Sequence, residues 1–195
     1  MAPKHKRKLT PIDAHGRLTA PSRPMTDWLL RPARDGDADD VIAVISRCFD
    51  LYPGCVTDVD GEMPELRRIA SAYTDVDGAI WVIEQRSRVV ALIGIAEAAA
   101  RPGTGRGMEI HRLYVDPDTR RQGFGRLLLS EAERYAVTRG ARFLEAWSDI
   151  RFTDAHRLYE RMGYRRRPEI RILGDLSNSA EYHFDKLSLA EAASR

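Results

Sequence analysis

The sequence predicts an α/β domain, a sheet with helices on both faces, and three features carry that prediction. An apolar-rich run, 109–115, meets a turn at Asp116-Pro117-Asp118, then a basic Gly-x-Gly segment, then an amphipathic helix. Two strand-like runs, 79–85 and 89–96, lie a short polar turn apart and read as a hairpin. Downstream, helix, strand and helix patterns follow in turn, as layered α/β architectures require.

Each element has its own signal. Residues 28–33 form a short first strand that Pro32 ends. Asp35-Gly36-Asp37 is a turn, with Asp37 a fitting N-cap. The next helix sets Val41, Val44, Ile45 and Cys48 at i, i+3, i+4 and i+7, and ends near Leu51, before Tyr52-Pro53-Gly54. An acidic loop, 52–64, carries Asp58, Asp60 and Glu62, and a second helix turns Leu66, Ile69, Ala70 and Tyr73 inward. Residues 101–107 form a glycine-rich loop, but no helix follows, which excludes a nucleotide loop there. The motif strand spans 108–115. The helix after Gly125 aligns Leu128, Ala132, Tyr135 and Ala136 and stops at Gly140. Residues 143–148 are a buried strand. Thr153 or Asp154 caps the following helix, whose stripe is Ala155, Leu158, Tyr159 and Met162 and whose end is Gly163. Tyr182 and Phe184 alternate with polar neighbours in a last strand.

Composition narrows the function classes. With 43% hydrophobic and 31% charged residues, the 195-residue chain has enough apolar side chains for the core of a soluble domain. No apolar stretch approaches the roughly 18 residues of a membrane helix, and the N-terminus lacks a signal-peptide core. Cys48 and Cys55 make neither a disulfide framework nor a metal site, so they read as reduced thiols of a cytoplasmic protein. Charge is uneven. Of 31 bases and 29 acids, six and one fall in residues 1–24, which leaves 25 against 28, a net charge of −3, for the rest. Residues 1–24 therefore read as a disordered basic tail, a solvated leader rather than a nucleic-acid arm, and 25–190 as the domain.

A glycine-bearing turn between strand and helix is an anion site by construction. The glycines let backbone approach the ligand, and the first helical amides have no partners of their own. Those amides and the helix dipole favour negative charge. On these residues the chain resembles the GNAT N-acetyltransferase superfamily. Arg120-x-x-Gly123-x-Gly125 matches the Arg/Gln-x-x-Gly-x-Gly/Ala motif that follows that family's fourth strand. Ala155, Tyr159, Gly163 and Tyr164 match its helix ending Ala-x-x-x-Tyr-x-x-x-Gly-Phe/Tyr. The resemblance is sharpest over 109–164. It implies a mixed, mostly antiparallel central sheet splayed at the cofactor site. It also implies transfer of an acetyl group from acetyl-CoA to a primary amine of a small molecule or peptide. The alternative is the same fold holding acyl-CoA as a sensor without turnover. Dimers are common in the family; no membrane, metal or nucleic-acid partner is expected.

The resemblance assigns pyrophosphate contacts to Arg120, Arg121, Gln122, Gly123, Phe124, Gly125 and Arg126. It assigns main-chain contacts with the pantetheine arm to Leu113, Tyr114 and Val115. Tyr159 matches the tyrosine that protonates the leaving thiolate in many members. From a phenol near 10 to a thiol near 8.5 that step is uphill by about 2 kcal/mol. Its place on an apolar stripe equally permits a packing role. Glu109, six residues before Val115, sits where histone-acetylating members carry a catalytic glutamate. A carboxylate near 4.3 needs burial or a relay water to act as the base. His111, which shares its face if no bulge intervenes, Glu145 and Asp149 are the other options. Phe152 departs from the family, many of whose members have an asparagine there that bonds the pantetheine arm. Trp147 stands where some members carry an acid. The 52–64 loop commonly lines the acceptor site in the family, where Asp58, Asp60 and Glu62 would suit a cationic amine; an ordinary Asp-Gly turn is the other reading.

Overall fold

Residues Val89 to Ile95 are buried without interruption, so their strand must be covered on both faces. The computed structural model, which describes residues 27–100 and 103–187, shows how. The tail expected over 1–24 lies outside the described residues. Seven strands form one sheet: β1 (Trp28–Pro32), β2 (Ala79–Gln85), β3 (Arg88–Glu97), β4 (Gly107–Val115), β5 (Phe143–Asp149), β6 (Arg165–Ile172) and β7 (Ala180–Leu187). Their order is β1-β2-β3-β4-β5-β7-β6, antiparallel throughout except for the parallel pair β4/β5. The mixed, mostly antiparallel sheet expected for the domain is therefore present.

Four helices cover it. On one face α1 (Ala38–Phe49) and α2 (Ile69–Thr74) bury Val41, Val44, Ile45, Cys48 and Ile69 against Val82 and Leu92. On the other, α3 (Phe124–Thr138) and α4 (Thr153–Arg161) pack Leu128, Leu129, Ala132 and Tyr159 against Ile93, Ile95, Met108 and Phe184. Each fully buried aliphatic side chain stabilises the fold by about 1.5–3 kcal/mol before entropy is charged against it.

Local departures from the sequence reading have local causes. Asp37 occupies the N-cap position of α1 but does not cap it; its carboxylate accepts from Arg31 and from the Arg34 amide. The second helix breaks into a 3-10 turn, Pro64–Arg68, before α2, although Leu66, Ile69 and Tyr73 stay buried as the periodicity requires. No side chain caps α4, whose N-cap residue is Phe152. β6 has no counterpart in the sequence reading. It is an exposed edge strand with four arginines and Pro168, and an edge tolerates proline because its outer amides have no ladder partner.

Two features of β4 set up the site. Its ladder with β5 runs from Gly107↔Phe143 to Ile110↔Ala146 and then stops, so the strands part. Against β3 the register slips between Leu92↔Tyr114 and Gly94↔His111, and Arg112 takes φ +56 at that bulge. An extra residue in a strand reverses which face the later side chains take. Glu109, His111 and Arg112 thus lie on the α1/α2 side, whereas Leu113 and Val115 join the core under α3.

Candidate active site

At the start of α3 the backbone makes the anion-binding shape. Gly123 takes φ +85 at the N-cap, a left-handed conformation unstrained only for glycine. Arg121, two residues before it, takes φ +65 despite its Cβ, at a cost of about 1–2 kcal/mol. Left-handed residues within a turn form a concave row of amides, and no side chain caps the helix. Gly125 acts through space. A Cβ there would lie 3.0 Å from Cδ2 of Leu158 and 3.8 Å from Cγ2 of Val115. Its absence lets the first turn of α3 lie directly against α4 and β4.

The arginines around this turn differ. Arg120 Nε donates to the Val115 carbonyl at 3.4 Å, and its Nη1 lies 3.7 Å from Asp154. It ties the end of β4 to the start of α4. The same carbonyl lies 3.3 Å from the Cys48 thiol, a second donor. One of the main-chain acceptors assigned to the pantetheine arm is thus already engaged by the protein.

Where β4 and β5 part, a cavity of about 560 Å³ opens. Its walls bring together residues far apart in sequence: Glu109 and Leu113 from β4, Trp147 and Asp149 from β5, and Tyr159 from α4. Tyr159 belongs to the core on the α3/α4 face and Glu109 to the opposite face, so the cavity joins the two sides through the gap in the sheet. Tyr159 is 4% exposed and packs on Tyr164 and Phe184, with ring centroids 5.5 and 5.3 Å away. Burial, with smaller contributions from Tyr114 and Glu181, raises its phenol above the ordinary range. Tyr114 is pushed up to about 12 by burial, partly offset by Arg112.

Four candidate bases were legible as residue types, and the structure separates them. Nδ1 of His111 lies 3.9 Å from Glu109 Oε1, so the two share a face, the bulge falling after them. Desolvation, Arg112 and Arg171 push His111 down to about 4, which makes it a weaker base than its ordinary value promises. Glu145 is buried and bonded to His183, with Nε2 to Oε2 at 2.9 Å. Asp149 is held by Arg151; burial pushes its carboxyl up, but the guanidinium and main-chain amide of Arg151, with Ser179, together outweigh burial and keep it below its usual range. Among these, Glu109, His111 and Asp149 line the cavity and Glu145 does not.

The acidic loop is placed differently from the sequence expectation. Asp58 accepts from the Gly61 amide and Asp60 pairs with Arg67, and neither lines the cavity. Glu62 does, and it accepts from the Leu176 amide at 2.6 Å. The other acids come from the β6/β7 hairpin: Asp175 and Glu181. Burial raises the Glu181 carboxyl; Arg171 works against that rise, and Asp149 and Glu109 add to it. Neither residue was legible as a site residue: Asp175 lies in the connection between β6 and β7, and Glu181, although its strand was read from Tyr182 and Phe184, meets the cavity only through the pairing of β7 with β5. Phe152 joins Phe49, Tyr52 and Tyr114 in an aromatic cluster on the cavity rim, with centroid separations of 4.8–6.4 Å. Among the described residues no three His, Cys, Asp or Glu gather to hold a metal ion, and no helix is long and apolar enough to cross a membrane.

An open sheet splayed beside a glycine turn at a helix start defines an acyl-CoA-dependent transferase fold. The model of the acetyltransferase (GNAT) family matches residues 43–164, and the chain belongs to that family. It is 41% identical over 56 residues to an uncharacterized N-acetyltransferase of Methanocaldococcus jannaschii; that segment is 29% of this chain and 25% of the relative. An N-acetyltransferase of Staphylococcus aureus has a similar structure, with TM-score 0.65 and 18% identity over 83% of this chain and 98% of that one. So has a Salmonella typhimurium protein described as an acetyltransferase and solved with its cofactor acetyl-CoA: TM-score 0.65, 16% identity, 83% and 94% covered. At such identities the solved structures establish the fold alone.

Proposed function

We propose that the protein is an acetyl-CoA-dependent N-acetyltransferase acting on a primary amine of a small molecule or peptide, with Tyr159 as general acid and Glu109 as base. One observation carries this reading: a single cavity, in the gap where β4 and β5 part, is lined by two titratable side chains from opposite faces of the sheet, Glu109 and Tyr159. We further propose a cytoplasmic protein whose domain spans 25–190 and works without residues 1–24.

The residues present fit the donor. The uncapped, glycine-opened start of α3, with Arg121, Gln122, Phe124 and Arg126 around it, would hold the pyrophosphate. The edge of β4 at Leu113, Tyr114 and Val115, left unpaired by β5, would hold the pantetheine arm. Acetyl-CoA supplies an activated thioester. The protein must then remove a proton from the acceptor ammonium and return one to the leaving sulfur. Glu109, on the wall of the cavity with the other acids, would perform the first task. Tyr159, kept neutral by burial, would perform the second. Burial alone would make the phenol a poorer acid, but a thiolate formed in the same dry pocket has its own affinity for the proton raised by the same desolvation. The excess of Glu62, Glu109, Asp149, Asp175 and Glu181 over Arg112 and Arg171 favours a cationic acceptor.

The test is acetyl-CoA thiol release across amino acids, polyamines, aminoglycosides, arylamines and short peptides, with Tyr159→Phe beside the wild type. Amine-dependent turnover that collapses in the variant is expected. Absence of calorimetric acetyl-CoA binding would overturn the reading.

A further inference from the structure

Phe152 breaks a local rule. It holds the N-cap position of α4, where Ser, Thr, Asp or Asn would bond a free helix amide, and its side chain caps nothing. A functional site is where a chain is expected to break such a rule. The ring packs on Tyr52, Phe49 and Tyr114, with centroids 4.8, 5.9 and 6.4 Å away, and Phe49, Tyr114 and Phe152 line the cavity. Phe49 and Phe152 are only partly buried, so both keep ring surface open to a ligand. Val56 and Leu173 add apolar surface to the same walls. The cavity is also acidic. Glu62, Glu109, Asp149, Asp175 and Glu181 line it, against Arg112 and Arg171. Arg171 pairs with Glu181, Arg112 with Glu65 and Arg151 with Asp149; adding the outside partners Glu65 and Arg151 gives six acids against three bases, a net charge of −3. That excess survives with every one of these pairs made, so it needs no free carboxylate. His111, held down to about 4, adds no positive charge near neutral pH.

From the aromatic wall and the acidic one we infer that the acceptor is an arylalkylamine: a primary ammonium on a short chain carried by an aromatic ring, the ring seated on Phe49, Tyr114 and Phe152. The inference rests on the acetyltransferase reading of this cavity and names its acceptor class. In the reaction the ammonium gives up its protons as the nitrogen bonds the acetyl carbon and the carbon–sulfur bond breaks. The products are the N-acetyl arylalkylamine, the thiol of coenzyme A and one proton. A polyamine or an aminoglycoside matches the charge, but it would strip water from its own polar groups against rings that offer them no partner. A short alkylamine matches the charge and covers little of the aromatic surface. An aryl ring can add to the cluster in the tilted and edge-on contacts its members already make. The ammonium is drawn in by the net negative wall. Phe152 then sets specificity through its ring and takes no part in proton transfer.

The measurement is kcat/KM with acetyl-CoA for phenethylamine, butylamine, spermidine and kanamycin. Phenethylamine should exceed butylamine by about tenfold and the two polar amines by about 10²-fold. Phe152→Asn removes the ring and supplies the missing cap, so Tm should hold or rise. The preference for phenethylamine over butylamine should fall to within about a factor of two. A lower Tm with the preference intact would make Phe152 a packing residue and overturn the inference, as would spermidine or kanamycin used as well as phenethylamine. The wild-type preference decides the matter alone if the variant does not fold. If no amine turns over, occupancy decides. Cys55 lines the cavity and is partly exposed, whereas Cys48 is 3% exposed, so iodoacetamide labelling of Cys55 reports a filled site. Phenethylamine should slow that labelling about tenfold, with and without coenzyme A, at concentrations where spermidine does not. Equal protection by both amines, or none, overturns the inference. So does protection that coenzyme A abolishes, because the rings would then belong to the donor. The labelling without coenzyme A needs no donor, so failure of the acceptor class and failure of the acetyltransferase reading, seen as absent acetyl-CoA binding, are told apart.

Discussion

At one end of the proposed site, the start of α3, a ligand would meet backbone: the left-handed turn at Arg121 and Gly123, the uncapped helix start, and the close approach allowed by Gly125. At the other end it meets side chains carried by β4, β5 and the β6/β7 hairpin, nearly all of them already engaged with one another. The first end is local in sequence, rigid and indifferent to most side chains. The second depends on strand register across the sheet. Substitutions should therefore act at the first end through conformation and binding, and at the second through proton transfer and charge.

The largest effect is expected where the chemistry is. Tyr159→Phe, which keeps the packing on Tyr164 and Phe184, should lower kcat by about 10²–10⁴-fold at nearly unchanged acetyl-CoA affinity. A kcat within a factor of two of the wild type would return Tyr159 to a packing role. Glu109→Gln should lower kcat/KM for the amine by about 10²-fold, less at alkaline pH, where more of the amine is already neutral. Equal loss at every pH would count against Glu109 as base.

At the backbone end, Gly123→Val forces a β-branched residue to φ +85, where there is open space for the side chain but not for the conformation. It should cost about 1–2 kcal/mol and weaken acetyl-CoA binding about tenfold, read by calorimetry, with kcat at saturation little changed. A fall in kcat without loss of affinity would erase the contrast between the two ends.

The smallest effect is in stability. His111 is held down to about 4, below its ordinary 6.5, so the unfolded chain takes up a proton first as pH falls. Its contribution is therefore complete above about 6.5 and is lost as pH drops towards 4. Because its side chain is 39% exposed, solvent screening trims this to about 1 kcal/mol or less. Urea melts of the wild type and His111→Gln should diverge in slope between those pH values and run parallel above them.

The sequence by itself determined the parts that rest on local rules. Helical stripes such as Val41, Val44, Ile45 and Cys48 bury as spaced, and the β2/β3 hairpin forms where its turn is read. The glycine turn sits between strand and helix because Gly123 takes a left-handed conformation without strain and Gly125 leaves room for Leu158. Only the tertiary structure decided the acceptor end. The bulge at Arg112 reverses the faces of β4, so Leu113 and Val115 point away from the side that Glu109 takes. β6, an edge strand with no apolar alternation, brings Arg171 and Glu169 to the cavity wall and to His183. The acids Asp58 and Asp60, conspicuous in the sequence, turn to near neighbours in the chain, the Gly61 amide and Arg67, and away from the cavity. Turns and helix faces follow from interactions a few residues long. Which side chains meet across a sheet follows from register, which a single inserted residue changes and which no local pattern records.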